Sequence, residues 1–455
     1  MANHPKRNIL LARFITPIVR PIDEFIKSSL AGGLILIGCT ILSLVLANTG
    51  QKWFIELWET PVNLHIGGGY LFPNHPHHFT LAHFISDGLM TIFFVTVALE
   101  IKREVIEGEL ASLQKASLPI IAAVGGMLFP FLFYMFFNTG TAYSNGGGIP
   151  TATDIAFSLA VLSLVGEKYV PHSLKIFLMT LAIADDLGAI VVIAIFYNQG
   201  IQVFYLLYAC TIALVIWIAG REGFKKMWFY IFLSLPMWYF MLLSGVHATI
   251  AGVLLALAIP IKNKLTGPEI IQRLEDTLDK IKHEPRPAHA HGSEATLVLE
   301  TVESFFKENA SVSQRIDDQI RDWVNYLIMP LFALCNMAIV LQLSFATQIF
   351  TDSVSLGIMS GLVLGKPIGI FLTTFIFVKL GICTLPASIG WKHIFGAGLL
   401  AGIGFTMSIF VTLLAFTKQP YIEDLAKVSI IVASTTSAIL GWLWLRFFVG
   451  ARKIS

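Results

Sequence analysis

The sequence predicts an all-α polytopic membrane protein with twelve transmembrane helices, on the basis of its composition, its apolar runs and the placement of its basic residues. Of the 455 residues, 55% are hydrophobic and only 13% are charged, and the mean hydropathy is +0.74. This composition is typical of a chain embedded in a lipid bilayer. The net charge of +2 gives no indication of a nucleic-acid partner.

Apolar runs long enough to cross a membrane recur along the whole chain. An α-helix rises about 1.5 Å per residue, so about 20 residues cross a hydrocarbon core of about 30 Å. The twelve predicted spans are 29–48, 81–99, 117–137, 149–165, 172–197, 201–219, 227–243, 245–260, 323–342, 353–377, 393–416 and 425–448. The chain therefore divides into a leading segment 1–28, eight spans within 29–260, a polar connection 261–322, four spans within 323–448, and a tail 449–455.

The lysine and arginine residues test this count independently. With the N-terminus in the cytoplasm, an even number of spans returns the C-terminus to the cytoplasm as well. Of the 31 basic residues, only Lys52, Lys418 and Lys427 then fall outside, and only Lys366 lies deep within a span. Because cytoplasmic connections accumulate Lys and Arg, this asymmetry supports both the count and the cytoplasmic termini.

Two connections are longer than the others. The outer one, 49–80, contains GGGYLFPNHPHHF and fits either a short hairpin or disorder. The inner one carries His283, His289 and His291 in a proline-rich run, where they either bind a metal or belong to a solvated linker. The four cysteines form neither a CxxC pair nor a paired framework, so we expect no disulfide, structural metal or cofactor.

The fifth predicted span carries two adjacent carboxylates near its middle, Asp185 and Asp186. An aspartate at the bilayer centre costs at least about 2.5 kcal/mol on insertion scales, so a doublet needs a polar cavity or partners. Adjacent helical residues point about 100° apart, so both can reach one cavity only if the helix meets it edge-on. Close carboxylates titrate as a coupled unit, and hard cations prefer oxygen ligands. We therefore expect protons and Na+ to compete for this pair.

Two further spans are interrupted by glycine or proline, in GGGIPTATDIAF (146–157) and GAGLLAGIGFTMSIF (396–410). By the predicted topology they run in opposite directions, which indicates an inverted-repeat transporter with a site near the membrane midplane. Half-helices that end inside the membrane expose uncompensated dipole ends. Asp154, just after the first break, and Lys366 are expected to balance these ends. Alternatively, they form a buried ion pair with no part in transport.

Six motifs together resemble the bacterial NhaA-type Na+/H+ antiporters. They are ALEIKRE, TDIAF, LAIADDLGAI, SGVHATIAG, LGKPIG and GIGFTMSIF, and the resemblance extends over residues 25–450. It implies twelve helices in which the third to fifth and the tenth to twelfth form inverted repeats, with the two interrupted helices crossing near the midplane. It also implies electrogenic, pH-regulated exchange of cytoplasmic Na+ or Li+ for external H+ by alternating access in the bacterial inner membrane.

The resemblance implies roles for individual residues as well. Asp185 and Asp186 would bind Na+ or Li+ and carry the protons, whereas Thr153, Asp154 and Lys366 would balance the half-helix ends. Similar proteins are homodimers held partly by a hairpin in the first outer connection, which gives the 49–80 stretch a dimer role.

Four residues are candidates for the pH response: Glu100, Glu104, His247 and Asp317. Glu100 and Glu104 match acidic family positions near the cytoplasmic mouth, but they also suit a solvated helix face. His247 titrates near neutrality in principle, or is a hydrogen-bonded packing residue. Asp317 stands where the family often carries a glutamate. The histidines that often accompany that glutamate are replaced here, for example by Arg321, so the position and steepness of a pH switch stay open.

Other classes of function use similar residues. An intramembrane aspartyl protease needs two carboxylates that face each other about 3 Å apart, and neighbours on one helix do not easily meet that geometry. A Na+-coupled symporter or a K+/H+ exchanger on the same scaffold is the nearer alternative. The sequence contains no ring-forming filter of the kind that indicates a passive channel.

Overall fold

The computed structural model describes residues 29–449 apart from 51, 63–64, 67–68, 71–78, 167, 198–199, 387 and 418, and apart from most of 262–310. The leading segment 1–28, the end of the tail, and the three histidines of the inner connection lie outside the described residues.

Helices make up nearly all of the described chain. In order they are α1 (Ser29–Asn48), α2 (Lys52–Glu59), α3 (Leu81–Ile106), α4 (Leu113–Asn138), α5 (Ile155–Val165), α6 (His172–Phe196), α7 (Val203–Arg221), α8 (Met227–Leu243), α9 (Thr249–Ala258), α10 (Val312–Trp323), α11 (Met329–Asn336), α12 (Phe345–Gln348), α13 (Ser353–Lys379), α14 (Trp391–Ala401), α15 (Phe405–Ala415) and α16 (Pro420–Phe448). A 3₁₀ helix, Ser144–Thr151, precedes α5.

The predicted polytopic helical architecture is confirmed. Within the described residues, eight helices are long and apolar enough to cross a membrane, or nine if the bent pair α14 and α15 counts as one span. Helices α8 and α9 are apolar but shorter. The outer connection adds the antiparallel strands β1 (His65–Ile66) and β2 (Gly69–Tyr70), with His65 opposite Tyr70, so of the two alternatives left open there the structure shows the hairpin. It also contains α2, a helix that the sequence analysis missed, whose Phe54 and Trp58 are buried.

Some predicted span boundaries are corrected by the structure. The second span does not end at residue 99 but continues to Ile106. The charged Lys102 fits within it because its ammonium group donates to the carbonyls of Ala256 (3.1 Å) and Leu257 (2.8 Å) at the end of α9. The eighth span, predicted as 245–260, is helical only over α9, since Gly245 turns the chain with a φ of 78°. Apart from the ninth and twelfth, the other spans keep their predicted positions, with ends that differ by a few residues.

The twelfth span differs from prediction at one end, and the ninth at both, since its helix is continuous with α10 through the π-helical turn Val324–Ile328. The ninth, predicted as 323–342, stops at Asn336, and the following extended segment is held by Asn48: its amide donates to Ile339 O (2.8 Å) and its carbonyl oxygen accepts from Leu341 N (2.7 Å). The twelfth begins at Pro420 instead of 425, because a proline at the first helical position lacks only an N–H that would be unpaired there. Lys427 therefore lies within the helix rather than in an outer connection.

The buried side chains form two clusters. The larger one gathers residues from α1, α3, α4, α6, α11 and α13–α16 together with both interrupted segments. The smaller one joins α7, α8, α9 and α10 to one face of α3. Helix α7 is only 17% buried over its most apolar window, so most of its surface is available to lipid. Both interrupted segments belong to the larger cluster, whereas α7 belongs to the smaller one.

Helix α13 lies against α4 with almost no space between the two backbones. A Cβ on Gly369 would come within 2.2 Å of the carbonyl oxygen of Gly125, so only glycine permits this approach. Just before it, a π-helical turn, Gly361–Gly365, precedes Lys366 and Pro367. Proline has no N–H for the helical ladder, and such irregular turns commonly accompany its interruption. The close approach and the turn together set the direction of the Lys366 side chain.

Candidate cation-binding site

The first interrupted segment is made of the 3₁₀ helix Ser144–Thr151, three extended residues and α5. Pro150 and the glycines at 146–148 are poor α-helix formers, which explains why the α-helix begins only at Ile155. The extended residues include Thr153 and Asp154, and both side chains are fully buried. The interruption of the helix thus places two polar side chains in the protein interior.

The second interrupted segment is made of α14 and α15, which are bent by 46° at the break 402–404. The break reads Gly402-Ile403-Gly404 and contributes no polar side chain. A Cβ at Gly402 would lie 2.4 Å from the carbonyl oxygen of Leu362, which belongs to the π-helical turn before Lys366. This break therefore packs directly against the segment that carries the lysine.

The two breaks contact each other through main-chain and hydroxyl groups. The Asp154 N–H donates to Ile403 O at 2.7 Å. Ser158 Oγ, on α5, donates to Leu400 O at the end of α14 (2.9 Å). In return, Ser408 Oγ, on α15, donates to Ile149 O at the end of the 3₁₀ helix (2.8 Å). Each segment thus donates a side-chain hydrogen bond to a buried main-chain carbonyl of the other.

Asp154 serves the N-termini of two half-helices at once. As the N-cap of α5, its Oδ1 accepts from Phe157 N (3.0 Å). Its Oδ2 accepts from the hydroxyl of Thr406 (2.5 Å) and from Thr406 N (3.3 Å) in the first turn of α15. A carboxylate at a helix N-terminus is favoured by the macrodipole. The position of Asp154 therefore agrees with its expected role of balancing the half-helix dipoles. Its part in transport stays a prediction.

Lys366 pairs with Asp185. Its Nζ lies 2.6 Å from Asp185 Oδ2 and 2.8 Å from Thr153 Oγ1, and all three side chains are fully buried. The Thr153 hydroxyl also lies 2.8 Å from Asp185 Oδ2 and 3.0 Å from Ala401 O, but its single hydrogen can serve only one of them at a time. Lys366 thus reaches the α14 terminus through Thr153, and its own role in balancing that dipole stays a prediction.

Asp186 differs sharply from its neighbour. Both of its side-chain oxygens are buried, and no hydrogen bond reaches them from any described residue; Asp185 Oδ1 shares this condition. A buried carboxylate without partners is very costly when ionised. Asp186 is therefore suited to carry a proton or to bind a cation, whereas Asp185 holds a lysine.

These carboxylate oxygens suit a hard cation carried as cargo. Among the described residues, no group of three or more His, Cys, Asp or Glu side chains is arranged to hold a metal ion. The available donors are the free oxygens of Asp185 and Asp186, and oxygen ligands are those that hard cations prefer.

Two of the pH-response candidates lie close together, at the contact between α3 and α10. Arg321 pairs with the buried carboxylate of Asp317 and lies 3.8 Å from Glu100 Oε1. Arg103 lies 3.9 Å from Asp317 Oδ2. Burial lowers the pKa of the Arg321 guanidinium, but the carboxylates around it raise it, and the net pKa is higher than usual. Arg321 therefore stays charged at every relevant pH.

Of the other two candidates, Glu104 lies one turn after Glu100 on α3, and only His247 lies elsewhere. Glu104 Oε2 accepts a hydrogen bond from Glu109 N (2.9 Å), so it holds the turn after α3. His247 Nε2 lies 3.4 Å from Asp87 Oδ1, and its Nδ1 is 2.8 Å from Thr249 Oγ1. The four residues do not form a single cluster, and their involvement in a pH response stays a prediction.

Several polar residues of the site escaped the sequence analysis. Thr406 and Ser408 stand in the quoted motif GIGFTMSIF, but nothing in the motif showed that they reach the other broken segment. Asp87, the neighbour of His247, was also missed. Its signal was available: it is an acidic residue within an otherwise apolar span.

Comparisons with known proteins agree with the motifs. The family model described as Na+/H+ antiporter 1 matches residues 23–445. The Na+/H+ antiporter NhaA of Helicobacter pylori strain J99 is 43% identical over 426 residues, covering 93% of this chain and 94% of that protein. The NhaA of Cytophaga hutchinsonii is 42% identical over 424 residues, covering 93% and 94%. That of Acidithiobacillus ferrooxidans is 40% identical over 441 residues, covering 96% and 99%.

Proposed function

The chain belongs to the Na+/H+ antiporter 1 family, and from this premise we propose that Asp185 and Asp186 bind Na+ and protons in turn while the protein exchanges one ion for the other. It is a transporter rather than an enzyme, and it resides in the bacterial inner membrane. The observation that carries the proposal is the buried doublet, in which one carboxylate holds Lys366 and the other accepts no hydrogen bond from any residue that the structure describes.

The inequality of the two carboxylates suggests how exchange proceeds. Asp186 carries a proton when no cation is bound, because a bare buried carboxylate is too costly. A Na+ that enters between the doublet needs the oxygens of both residues and competes with the Lys366 ammonium for Asp185. Cation binding therefore releases protons, and protonation releases the cation. If the two states never coincide, alternating access converts this competition into antiport.

The fold proposed for this exchange is the twelve-helix arrangement, with inverted repeats in the third to fifth and tenth to twelfth helices. The two interrupted segments would cross near the membrane midplane. The reciprocal hydrogen bonds of Ser158 and Ser408 support this arrangement, since each runs from the second half of one segment to the end of the first half of the other.

Direction, charge movement and assembly complete the proposal. Cytoplasmic Na+ or Li+ would leave in exchange for external H+, with the 1–28 segment, the 261–322 connection and the 449–455 tail all cytoplasmic. Exchange is electrogenic if each Na+ displaces two protons, one from Asp186 and one from Asp185 or the Lys366 ammonium paired with it. The hairpin within 49–80 would join two copies of the chain into a homodimer.

Replacing each aspartate tests the assignment. In everted vesicles, Na+ or Li+ should collapse an imposed pH gradient, and Asp185→Asn or Asp186→Asn should abolish the collapse. Their stabilities should differ. Asp185→Asn leaves the buried Lys366 charge unpaired and lowers the Tm in detergent, whereas Asp186→Asn removes no hydrogen bond to a described residue and leaves the Tm unchanged. Wild-type exchange in either variant would remove that residue from the site.

The proposed pH regulation can be tested at Arg321. The guanidinium stays positively charged near neutrality. A change of pH in this range therefore does not alter its attraction for Glu100 and Asp317 through loss of its own charge. A histidine there would have its pKa raised above about 6.5 by the two carboxylates and would lose its charge as the pH rises through that value. Arg321→His should therefore move the half-maximal pH of exchange, and Arg321→Lys should not. Identical profiles for both variants would exclude this cluster from the pH response.

A further inference from the structure

The half-helix α15 begins without a capping side chain of its own. Its N-cap is Gly404, and the first N–H groups of a helix have no partner within the helix. Thr406 N reaches Asp154, as described above. The Phe405 N–H instead donates to Ser434 Oγ at 3.1 Å, a buried hydrogen bond from the middle of α16. The side chain of Ser434 is only 2% exposed.

We propose that Ser434 is a positioning residue of the cation site: it caps α15 from the neighbouring helix and so holds the start of α15 against Asp154. The inference rests on the proposed assignment of Asp185 and Asp186 as the ion-binding pair. Ser434 touches neither the ion nor these carboxylates, and it acts through residues that do.

The contacts from Ser434 to the doublet are short and continuous. Ser434 holds Phe405, and the next residue, Thr406, donates to Asp154 through both its hydroxyl (2.5 Å) and its N–H (3.3 Å). The residue before Asp154 is Thr153, whose hydroxyl lies 2.8 Å from Asp185 Oδ2. A small shift of the α15 start therefore changes the alignment of Asp154 and Thr153 beside the doublet.

Loss of the Ser434 hydroxyl would leave a buried N–H without an acceptor. Such a group costs more than the hydrogen bond itself contributes, so the start of α15 would move toward another acceptor. Because this movement acts on groups around the bound ion, we expect apparent cation affinity to fall more than the maximal rate.

The chain offers a matched control on the same helix. Ser437 lies nearly one turn further along α16 and is equally buried. Its Oγ has no hydrogen-bond partner among the described residues. It faces the same break, since a Cβ at Gly402 would come within 2.8 Å of it. Ser437→Ala therefore removes a hydroxyl of the same kind from the same region without removing a cap.

The test is the apparent Na+ Km and Vmax of purified full-length protein in proteoliposomes at one alkaline pH. Ser434→Ala should raise the Km by about threefold to tenfold, the effect of one lost hydrogen bond, with Vmax nearly unchanged. Ser434→Cys keeps the volume and a weaker acceptor, so it should give a smaller increase. Ser437→Ala should keep the wild-type Km.

A wild-type Km in Ser434→Ala, or an equal increase in Ser437→Ala, would overturn the inference. If Ser434→Ala does not fold, Ser434→Cys decides alone, and a wild-type Km there has the same meaning. Failure of the broader proposal is recognised separately, because it requires exchange to survive in Asp185→Asn or Asp186→Asn.

Discussion

The two interrupted segments have similar positions in the fold but different chemistry. The first breaks at three extended residues, two of which, Thr153 and Asp154, provide polar side chains. The second breaks at Gly402-Ile403-Gly404 and provides only main-chain atoms and close packing. The first segment therefore carries the charged side chain, and the second contacts it through main-chain groups at and beside its break.

The difference explains how two half-helix N-termini share one carboxylate. A second acid at position 404 would place two like charges close together in a buried site, where repulsion is strong. Glycine there leaves α15 to take its caps from Asp154 and Ser434. The site therefore contains one fewer charge than two self-capped breaks would need.

Among changes to the two breaks, removal of the shared cap Asp154 should have the largest effect on stability and exchange. Asp154→Ala takes away the cap of α5 and the acceptor for Thr406, so stability should fall by about 2–4 kcal/mol and exchange should be lost. Asp154→Asn keeps an acceptor oxygen and should lower the Tm less while still impairing exchange. Tm in detergent and vesicle exchange measure both. Equal Tm values for wild type and Asp154→Ala would show that the half-helices do not depend on this residue.

Introducing a side chain at Gly402 in the second break should lower stability by an intermediate amount. Gly402→Ala forces a Cβ to within 2.4 Å of the Leu362 carbonyl, and overpacking of this kind costs about 1–3 kcal/mol. Gly38→Ala is the control, because nothing lies within 4 Å of a Cβ there and helix propensity alone should leave α1 unchanged or slightly more stable. If Tm falls equally in both variants, close packing at the second break is not what requires glycine.

The smallest effect is expected for the reciprocal serines. Ser158→Ala and Ser408→Ala each remove one neutral hydrogen bond between the segments, which should lower stability by about 0.5–1.5 kcal/mol. Ser158→Ala should be the milder change, because Leu400 O also accepts from Ile403 N (3.1 Å). Ser234→Ala, whose hydroxyl bonds within its own helix, is the control. A Tm for either variant no lower than that of Ser234→Ala would contradict the reciprocal arrangement.

Much of the candidate site was predictable because its signals are local. A charged doublet in an apolar run, glycine and proline inside a span, and a lysine far from either membrane surface are each readable from neighbouring residues. Helix α2 and the early end of α11 were harder to predict. The first depends on the burial of Phe54 and Trp58, and the second on a hydrogen bond from Asn48 to the distant Ile339 carbonyl.

The amino-acid sequence by itself determined that this chain is a membrane-embedded bundle with two broken helices and a buried pair of aspartates, since hydropathy and helix-breaking residues act over a few positions. Only the packed bundle shows that Lys366 pairs with Asp185, that Asp186 has no hydrogen-bond partner within the described part of the chain, and that Asp154 accepts from Thr406, 252 residues away in sequence. The physical reason is that hydrogen bonds between helices depend on how backbones cross, and that geometry results from the packing of the whole bundle.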